Sequence, residues 1–137
     1  VVEEKGTDIT RNTEAVTLWC RFFRNEDALS PLSAKIVMSP DNRVLYMSRA
    51  PIPASKSGES DISIMKKNVG VFMFSRAFLE CLDSNRNTDT KLDIKEGLEQ
   101  LRWIELGFTL RAYEIKHKGF GIDVPAQLAE LEQRSKC

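Results

Sequence analysis

The clearest structural signal lies in residues 34–48, which read AKIVMSPDNRVLYMS. Two short apolar runs, residues 34–38 and 43–48, flank the tetrapeptide Ser-Pro-Asp-Asn at residues 39–42. These four residue types favour turns, and apolar runs on either side of a turn are typical of paired antiparallel strands. We therefore expect a β-hairpin that protrudes from the body of the fold.

Three further segments predict the rest of a sheet. Residues 14–23 are rich in aromatic and β-branched residues, which favours a buried strand. Residues 68–74 predict a compact strand in which Gly70 indicates a bulge or a close approach to the backbone. Residues 108–115 alternate apolar and polar side chains, as a strand with one covered face does.

Helices are predicted between these strands. A serine at position 75 can cap a helix over residues 76–82. Residues 93–106 predict one long amphipathic helix, which Gly107 can end. Residues 125–134 predict a last helix that starts on proline. Because strands alternate with helices around one hairpin, we expect an α/β domain with a mixed sheet and flanking helices.

Composition limits the function classes. A chain of 137 residues is about the size of one domain, so we expect residues 1–137 to form a single domain. Its 20 basic and 20 acidic residues cancel, which argues against a nucleic-acid partner. No apolar run reaches the ~18 to 20 residues of a membrane span, so no membrane partner is expected. Three scattered cysteines fit reduced thiols and a cytoplasmic protein.

Residues 119–125 read GFGIDVP and place an acidic side chain, Asp123, between a glycine-rich turn and the helix that Pro125 begins. α/β proteins commonly bind ligands where a strand gives way to a helix. A helix cap or a first-turn acid is the alternative role for Asp123. The chain has no glycine-rich phosphate loop after a first strand, so nucleotide chemistry would need residues from elsewhere.

Five motifs follow one another between residues 34 and 132. They are Lys35-Ile36-Val37-Met38, Leu45-Tyr46-Met47-Ser48-Arg49-Ala50-Pro51-Ile52-Pro53, Asn68-Val69-Gly70-Val71-Phe72, Glu96 with residues 98–102, and Gly121-Ile122-Asp123-Val124-Pro125. In this order they resemble the C-terminal half of the 3-deoxy-manno-octulosonate cytidylyltransferases, or CMP-KDO synthetases. The resemblance implies part of a Rossmann-like nucleotidyltransferase fold that lacks its N-terminal, nucleotide-binding half.

The resemblance also implies a function. Family enzymes activate a 3-deoxy-manno-octulosonate-like sugar acid with CTP, giving a CMP-sugar and pyrophosphate for lipopolysaccharide biosynthesis. Mg²⁺ is the implied cofactor and Asp123 a ligand, with its partner carboxylate in the missing half. We expect CTP and a sugar acid as partners of the complete protein. We also expect a homodimer built on residues 34–65. This chain alone is expected to have no turnover and no catalytic residue. The alternative is a non-catalytic module that binds a sugar acid or dimerises on the same scaffold.

The substrate-binding residues that the resemblance implies are Arg49, Gly70, Phe72, Glu96 and Gln100. The guanidinium of Arg49 could contact a carboxylate or phosphate in a bidentate manner, and a surface ion pair is its alternative. Glu96 and Gln100 lie one turn apart on the predicted long helix and could reach sugar hydroxyls. Ordinary exposed helix polarity is the alternative for both.

Two departures from the family pattern bear on the substrate. Where the family usually shows His-x-Gly-x-Tyr, this chain has Asn68 and Phe72 around Gly70. The changes remove an imidazole and a phenol that could bond a sugar acid, so the sugar could be a variant one. His117 has no evident cysteine or aspartate partner and is interpreted as an exposed loop histidine.

Two further interpretations concern packing. Arg102 is expected to form an ion pair with Glu99 or Glu105. The aromatic cluster of Trp19, Phe22 and Phe23 is expected in the core, with a subunit interface as the alternative.

Overall fold

The structure is a computed structural model and describes residues 14–116 and 125–135. Its elements in chain order are β1 (Ala15–Arg21), α1 (Asn25–Leu29), β2 (Lys35–Met38), β3 (Val44–Ser48), β4 (Lys66–Phe74), α2 (Arg76–Ser84), α3 (Leu92–Glu96), α4 (Gln100–Glu105), β5 (Leu110–Glu114) and α5 (Pro125–Ser135). Five strands form one sheet in the order β3-β2-β4-β1-β5. β1 and β5 run parallel and the other pairs antiparallel, which confirms the predicted mixed-sheet α/β fold.

The predicted hairpin is confirmed. β2 and β3 pair antiparallel, with Val37 opposite Tyr46. The turn closes where the backbone N–H of Ser39 donates to the carbonyl of Arg43 at 2.9 Å. Asn42 adopts the left-handed conformation at φ 66°, which asparagine tolerates better than most residues. Residues 39–42 therefore form the turn that their residue types predict.

The hairpin does not protrude, contrary to the expectation from sequence. Its tip is bonded back to β5: the N–H of Ala112 donates to the carbonyl of Asn42 at 2.9 Å. The guanidinium of Arg111 also donates to the carbonyl of Asp41 at 2.8 Å. Met47 on β3 is fully buried in the main core. The apolar side chains of the hairpin that lie in the main core lose more water-exposed area there than they would in a free arm.

The bulge predicted at Gly70 is also confirmed. Thr17 on β1 faces Phe72, but Trp19 faces Asn68, so β4 carries extra residues between these pairs. Gly70 has φ +82°, a conformation that side chains rarely adopt. The Asn68 side-chain oxygen accepts a hydrogen bond from the N–H of Gly70 at 3.3 Å. Asn68 therefore has a structural role at the bulge.

The long helix predicted over residues 93–106 is wrong. The structure has two short helices, α3 and α4, separated by Gly97, whose φ of +62° ends α3 in the left-handed conformation. Ile94, expected on the buried face, is 79% exposed. Leu98 and Leu101 are buried as expected. Gly107 ends α4 as predicted, with its N–H bonded to the carbonyl of Ile104 at 3.0 Å.

The main core lies between the sheet and helices α2 and α4. Its buried residues are Ala15, Ile36, Val44, Met47, Phe78, Leu98, Leu101, Trp103, Leu110 and Ala112. The ring of Trp103 stands edge-on to Phe72, Phe74 and Phe78, with centroids 5.2 to 5.5 Å apart. Such perpendicular contacts are favourable beyond the burial they bring. Trp103 therefore fixes α4 against β4.

The three aromatic residues expected in the core have different environments. Trp19 packs against the main core, and Phe22 is buried in a small second cluster with Ala28 and Met65. Phe23 is 59% exposed. The aromatic cluster is therefore only partly a core feature.

The boundaries of α2 and of β5 follow the sequence signals. Ser75 caps α2, because its hydroxyl accepts a hydrogen bond from the N–H of Phe78 at 3.0 Å. On β5, Leu110 and Ala112 are buried while Tyr113 is exposed, as the alternation predicts. Among the helices described, none is long and apolar enough to cross a membrane.

Candidate functional site

Arg49 and Glu96, two of the predicted site residues, lie against each other. The Glu96 carboxylate accepts hydrogen bonds from the Ser48 hydroxyl at 2.7 Å and from the Arg49 backbone N–H at 2.9 Å. The Tyr46 hydroxyl approaches the same carboxylate at 3.4 Å. These contacts join the end of β3 to the end of α3. We call Ser48, Arg49, Glu96 and Gly97 the β3–α3 anchor.

The pKa of Glu96 reflects this environment. Burial by itself raises the pKa of the carboxyl, but hydrogen bonds from Arg49 N–H, Ser48 and Tyr46, together with the charge of Arg49, outweigh burial. The net result is a pKa below the ordinary glutamate value. Glu96 is therefore a charged acceptor at neutral pH, and its hydrogen-bonding oxygens are already occupied by donors.

The guanidinium of Arg49 is occupied by backbone oxygens. Its Nε donates to the carbonyl of Glu96 at 2.6 Å, Nη1 to Pro31 at 2.9 Å and Nη2 to Gly97 at 2.8 Å. Three of the five N–H donors of the guanidinium are thereby used. Instead of an exposed ion pair, the structure shows an arginine that holds the break between α3 and α4 in place.

Lys35 is a member of this region that the sequence interpretation used only as part of a motif. It is fully buried, and its ammonium donates to the carbonyls of Ser30 at 2.6 Å, Ser33 at 2.7 Å and Arg49 at 2.8 Å. Burial, followed by the charge of Arg49 and opposed by Glu96, lowers the pKa of Lys35 to about 8. The sequence signal that could have identified Lys35 is a lysine at the start of an otherwise apolar strand.

Phe72 packs against the ring of Trp103, and Gly70 and Gln100 are near these two residues in the sequence. The Phe72 and Trp103 rings meet edge to face at 5.5 Å. Gln100 precedes Trp103 by three residues, so both side chains leave the same side of α4. The four residues form what we call the β4–α4 surface.

The β4–α4 surface has groups available for a ligand. The side chain of Gln100 makes no hydrogen bond within the part of the chain that the structure describes. Gly70 is exposed, and a Cβ built there would meet nothing within 4 Å. Glu96 is not part of this surface, because Gly97 places Glu96 and Gln100 in different helices. The expectation that Glu96 and Gln100 lie one turn apart on one helix is wrong.

Arg102 does not pair with the acidic neighbours expected from sequence. Its guanidinium donates to two carbonyls of the loop after α2, those of Asn85 at 2.7 Å and Thr88 at 2.9 Å. Glu105 accepts from the backbone N–H of Lys91 at 3.0 Å, just before α3 begins. Both side chains therefore fix the loop that leads into α3.

The metal prediction is not tested by these residues. In residues 14–116 and 125–135, no group of three or more histidine, cysteine, aspartate or glutamate side chains could hold a metal ion. Asp123, the predicted ligand, and His117 lie outside the described residues. Since Mg²⁺ usually takes one or two carboxylates together with substrate phosphates, Asp123 alone would make an incomplete site.

The fold indicates the class of protein. A solved structure of "CMP:2-keto-3-deoxy-manno-octonic acid synthetase complexed with CTP" matches with a TM-score of 0.73 and 25% sequence identity. The match covers 97% of this chain and 53% of that chain. The domain is therefore an α/β domain of the synthetase type. No protein-family model matches the chain.

Sequence relatives share one name. The 3-deoxy-manno-octulosonate cytidylyltransferase of Geobacter metallireducens is 32% identical over 127 residues, which is 86% of this chain and 49% of the relative. The Leptospira biflexa protein of the same name is 34% identical over 118 residues, 86% of this chain and 46% of the relative. The chain is thus homologous to 3-deoxy-manno-octulosonate cytidylyltransferases, which confirms the resemblance seen in its motifs. It spans about half the length of the curated relatives it matches, consistent with a C-terminal half.

Proposed function

We propose that this chain is the C-terminal, sugar-acid-binding part of a CTP-dependent cytidylyltransferase and does not turn over CTP alone. The observation that carries the proposal is the match of nearly the whole chain to about half of a synthetase whose structure contains CTP. The complete protein would activate a 3-deoxy-manno-octulosonate-like sugar acid. Its proposed place of action is the cytoplasm.

The proposed reaction is a nucleotidyl transfer. A hydroxyl oxygen of the sugar acid forms a bond to the α-phosphorus of CTP, the bond between α-phosphorus and the bridging oxygen breaks, and pyrophosphate leaves with the electron pair. The proton of the hydroxyl is released to water. Mg²⁺, when bound by Asp123 and a carboxylate from the other half, would supply neutralisation of the charge on the phosphates.

The β4–α4 surface is the proposed sugar-acid contact in this chain. The Gln100 amide can donate and accept hydrogen bonds, and the exposed Gly70 leaves room for a ligand next to the backbone. Phe72 supplies an apolar ring beside them. The β3–α3 anchor acts by positioning, because Arg49 and Glu96 hold the backbone just before α4 and thereby place Gln100.

A homodimer is also proposed. Its support is three exposed apolar side chains within residues 29–64: Leu29, Leu32 and Ile64 are 50%, 41% and 53% exposed. Exposed apolar groups of this kind often mark subunit contacts. Ile64 lies in the segment of residues 34–65 that the family resemblance assigns to dimerisation. Replacing it by lysine should convert a dimer into a monomer in light scattering.

The test of the function uses this chain joined downstream of the part of the Geobacter metallireducens relative that it does not cover. Purified fusion is supplied with CTP, Mg²⁺ and 3-deoxy-manno-octulosonate, and pyrophosphate release is followed with the isolated 137-residue chain as control. We expect a CMP-sugar from the fusion and none from the isolated chain. Binding of the sugar acid by a fusion that releases no pyrophosphate would favour the non-catalytic module instead.

A further inference from the structure

Lys35 is a buried charged residue to which the proposed reaction assigns no role. It begins β2, and its side chain is fully buried. Its ammonium is held by uncharged partners, the carbonyls of Ser30, Ser33 and Arg49, at 2.6 to 2.8 Å. A buried ammonium is costly unless hydrogen bonds compensate for the lost water. Here its three N–H donors match three acceptors.

A second cation binds the same loop as Lys35. Residues 30–33 connect α1 to β2, and the carbonyl of Pro31 accepts a hydrogen bond from Arg49 Nη1 at 2.9 Å. Lys35 in turn binds the main-chain carbonyl of Arg49. The two cations therefore bind three carbonyls of one short loop, and Lys35 is bonded to the backbone of the residue that carries the other cation.

The chain of hydrogen bonds continues to α4. The Arg49 guanidinium binds the carbonyls of Glu96 and Gly97 at 2.6 and 2.8 Å. Gly97 ends α3, and α4 begins three residues later at Gln100. We propose that Lys35 is a positioning residue for the sugar acid: its ammonium fixes the main chain at Arg49, and Arg49 fixes the turn that leads to Gln100. The proposal rests on the proposed function, because that function takes Gln100 as a sugar-acid contact.

The protonation state of Lys35 determines how many carbonyls it can bind. The ammonium has three N–H donors, one for each carbonyl. Loss of one proton to water leaves an amine with two donors, so one carbonyl loses its partner and faces the nitrogen lone pair. Burial lowers the pKa of Lys35 to about 8. The hold on Arg49 should therefore weaken in mildly alkaline solution.

Three charged side chains surround Lys35. Arg49, at the end of β3, lowers the pKa of Lys35, and Glu96, at the end of α3, raises it. Lys67 on β4 is the cross-strand partner of Lys35. The loop of residues 30–33 reads Ser-Pro-Leu-Ser and adds no titratable side chain. Lys67 is therefore the neighbouring lysine that an experiment must separate from Lys35.

The first experiment follows the backbone carbonyl carbons of the 137-residue chain by ¹³C NMR from about pH 6.5 to about pH 9.5. We expect the carbonyls of Arg49 and Gly97 to titrate together, with a midpoint near the Lys35 pKa of about 8. Lys35→Met should abolish both titrations. Lys67→Met is the matched control and should leave both in place.

A second variant tests the connection through the Arg49 side chain. Arg49→Lys keeps the main-chain carbonyl at position 49 but removes the fork that binds Gly97. The carbonyl of Ser33, which Lys35 binds directly, should still titrate in this variant. The carbonyl of Gly97 should no longer do so.

The second experiment measures binding of 3-deoxy-manno-octulosonate by calorimetry to the fusion described under the proposed function, with CTP and without Mg²⁺. At pH 7 the Lys35→Met fusion should bind about tenfold more weakly than the wild-type fusion, as expected when one polar contact is misplaced. This ratio should fall at least about threefold by pH 9.5, because the wild-type lysine then lacks a donor. Other titrating groups affect both proteins and cancel in the ratio. Lys95→Met, which removes an exposed lysine of α3, should bind as the wild type does at both pH values.

The contrary outcomes distinguish this inference from the proposed function. A Gly97 carbonyl that does not titrate in the wild-type chain would overturn the inference, whether or not Lys35→Met folds. A ratio that is constant with pH, in a fusion that forms CMP-sugar, would overturn the inference and leave the function standing. A falling ratio in a fusion that releases no pyrophosphate with Mg²⁺ would support the positioning role and reject the function. A wild-type fusion that does not bind the sugar acid would overturn both.

Discussion

Arg49 and Glu96 are joined in both directions: the Arg49 backbone N–H donates to the Glu96 carboxylate at 2.9 Å, and Arg49 Nε donates to the Glu96 carbonyl at 2.6 Å. Each residue thus binds the other's main chain through its own side chain. The pair connects residues that are 47 positions apart in the chain. It holds the end of β3 and the turn before α4 in one arrangement, on which the position of Gln100 depends.

Replacing Glu96 by alanine should lower the free energy of unfolding by about 2 to 3 kcal/mol, because a charged acceptor is removed from partly buried donors. Urea unfolding followed by circular dichroism measures this change. Glu99→Ala is the control: Glu99 is exposed, three residues away, and its loss should change stability by less than about 0.5 kcal/mol. Equal effects of the two variants would contradict a structural role for Glu96.

The contribution of Glu96 should disappear in acid. Its pKa in the folded chain is below the ordinary value of about 4.3, so the charged form is favoured by folding. The stabilisation is therefore complete above the unfolded pKa and is lost as the pH falls through the folded one. The stability difference between the wild-type chain and Glu96→Gln, measured by urea unfolding from pH 7 downward, should shrink below about pH 4. A difference that does not change with pH would contradict this.

Lys35 should affect stability in the opposite pH range. Its pKa is about 8 in the folded chain, below the value of about 10.4 expected when unfolded. Between these values the unfolded chain binds more protons, so the contribution of Lys35 to stability rises with pH. Unfolding of the wild-type chain and of Lys35→Met, compared at pH 7, 8, 9 and 10, should show the wild-type chain gaining relative to the variant above about pH 8. A difference that falls across this range would be inconsistent with the depressed pKa.

Gly97→Ala should cost about 1 kcal/mol, because alanine is strained in the left-handed conformation that ends α3. The cost should come from the backbone alone, since a Cβ would lie at an ordinary 3.7 Å from Arg49. Gly97→Asn is the matched comparison and should lose less, since asparagine tolerates this conformation better. Thermal unfolding ranks the variants, and a larger loss for asparagine would argue against the backbone explanation.

Gln100→Ala, introduced into the fusion, should raise the KM for the sugar acid about tenfold, because one polar contact is worth about 1.4 kcal/mol when lost. Stability should not change, since the described chain offers this side chain no hydrogen bond. Steady-state kinetics and urea unfolding of the same preparation separate the two quantities. The Glu99→Ala fusion is the control, and an unchanged KM for Gln100→Ala would remove the β4–α4 surface from the proposed site.

The parts of the fold that were predicted correctly depend on neighbours in sequence. The hairpin follows from the turn types at residues 39–42 and the apolar runs beside them. The cap at Ser75 needs only the N–H three residues later. The bulge at Gly70 follows from a residue that accepts positive φ. Each signal acts within a few residues, so a single sequence displays it.

The helix over residues 93–106 failed for the opposite reason. The apolar residues of this segment have helical spacing. A glycine inside a helix costs only about 1 kcal/mol, which burial of an apolar helix face can offset. The helix is broken at Gly97 because the turn there has hydrogen-bond partners. Arg49, from a different part of the chain, binds the carbonyls of Glu96 and Gly97. No pattern within residues 93–106 contains that information.

Sequence alone determined the strands, the hairpin, the helix cap and the family relationship, because these depend on residue types at short and fixed spacing. Tertiary structure decided that Arg49 and Glu96 serve as an anchor, that Lys35 is buried against three carbonyls, and that β2 pairs with only the first residues of β4. The physical reason is that hydrogen bonding and burial are satisfied by whichever groups the folded chain brings together. Those groups lie up to dozens of residues apart, and their distances exist only once the sheet has formed.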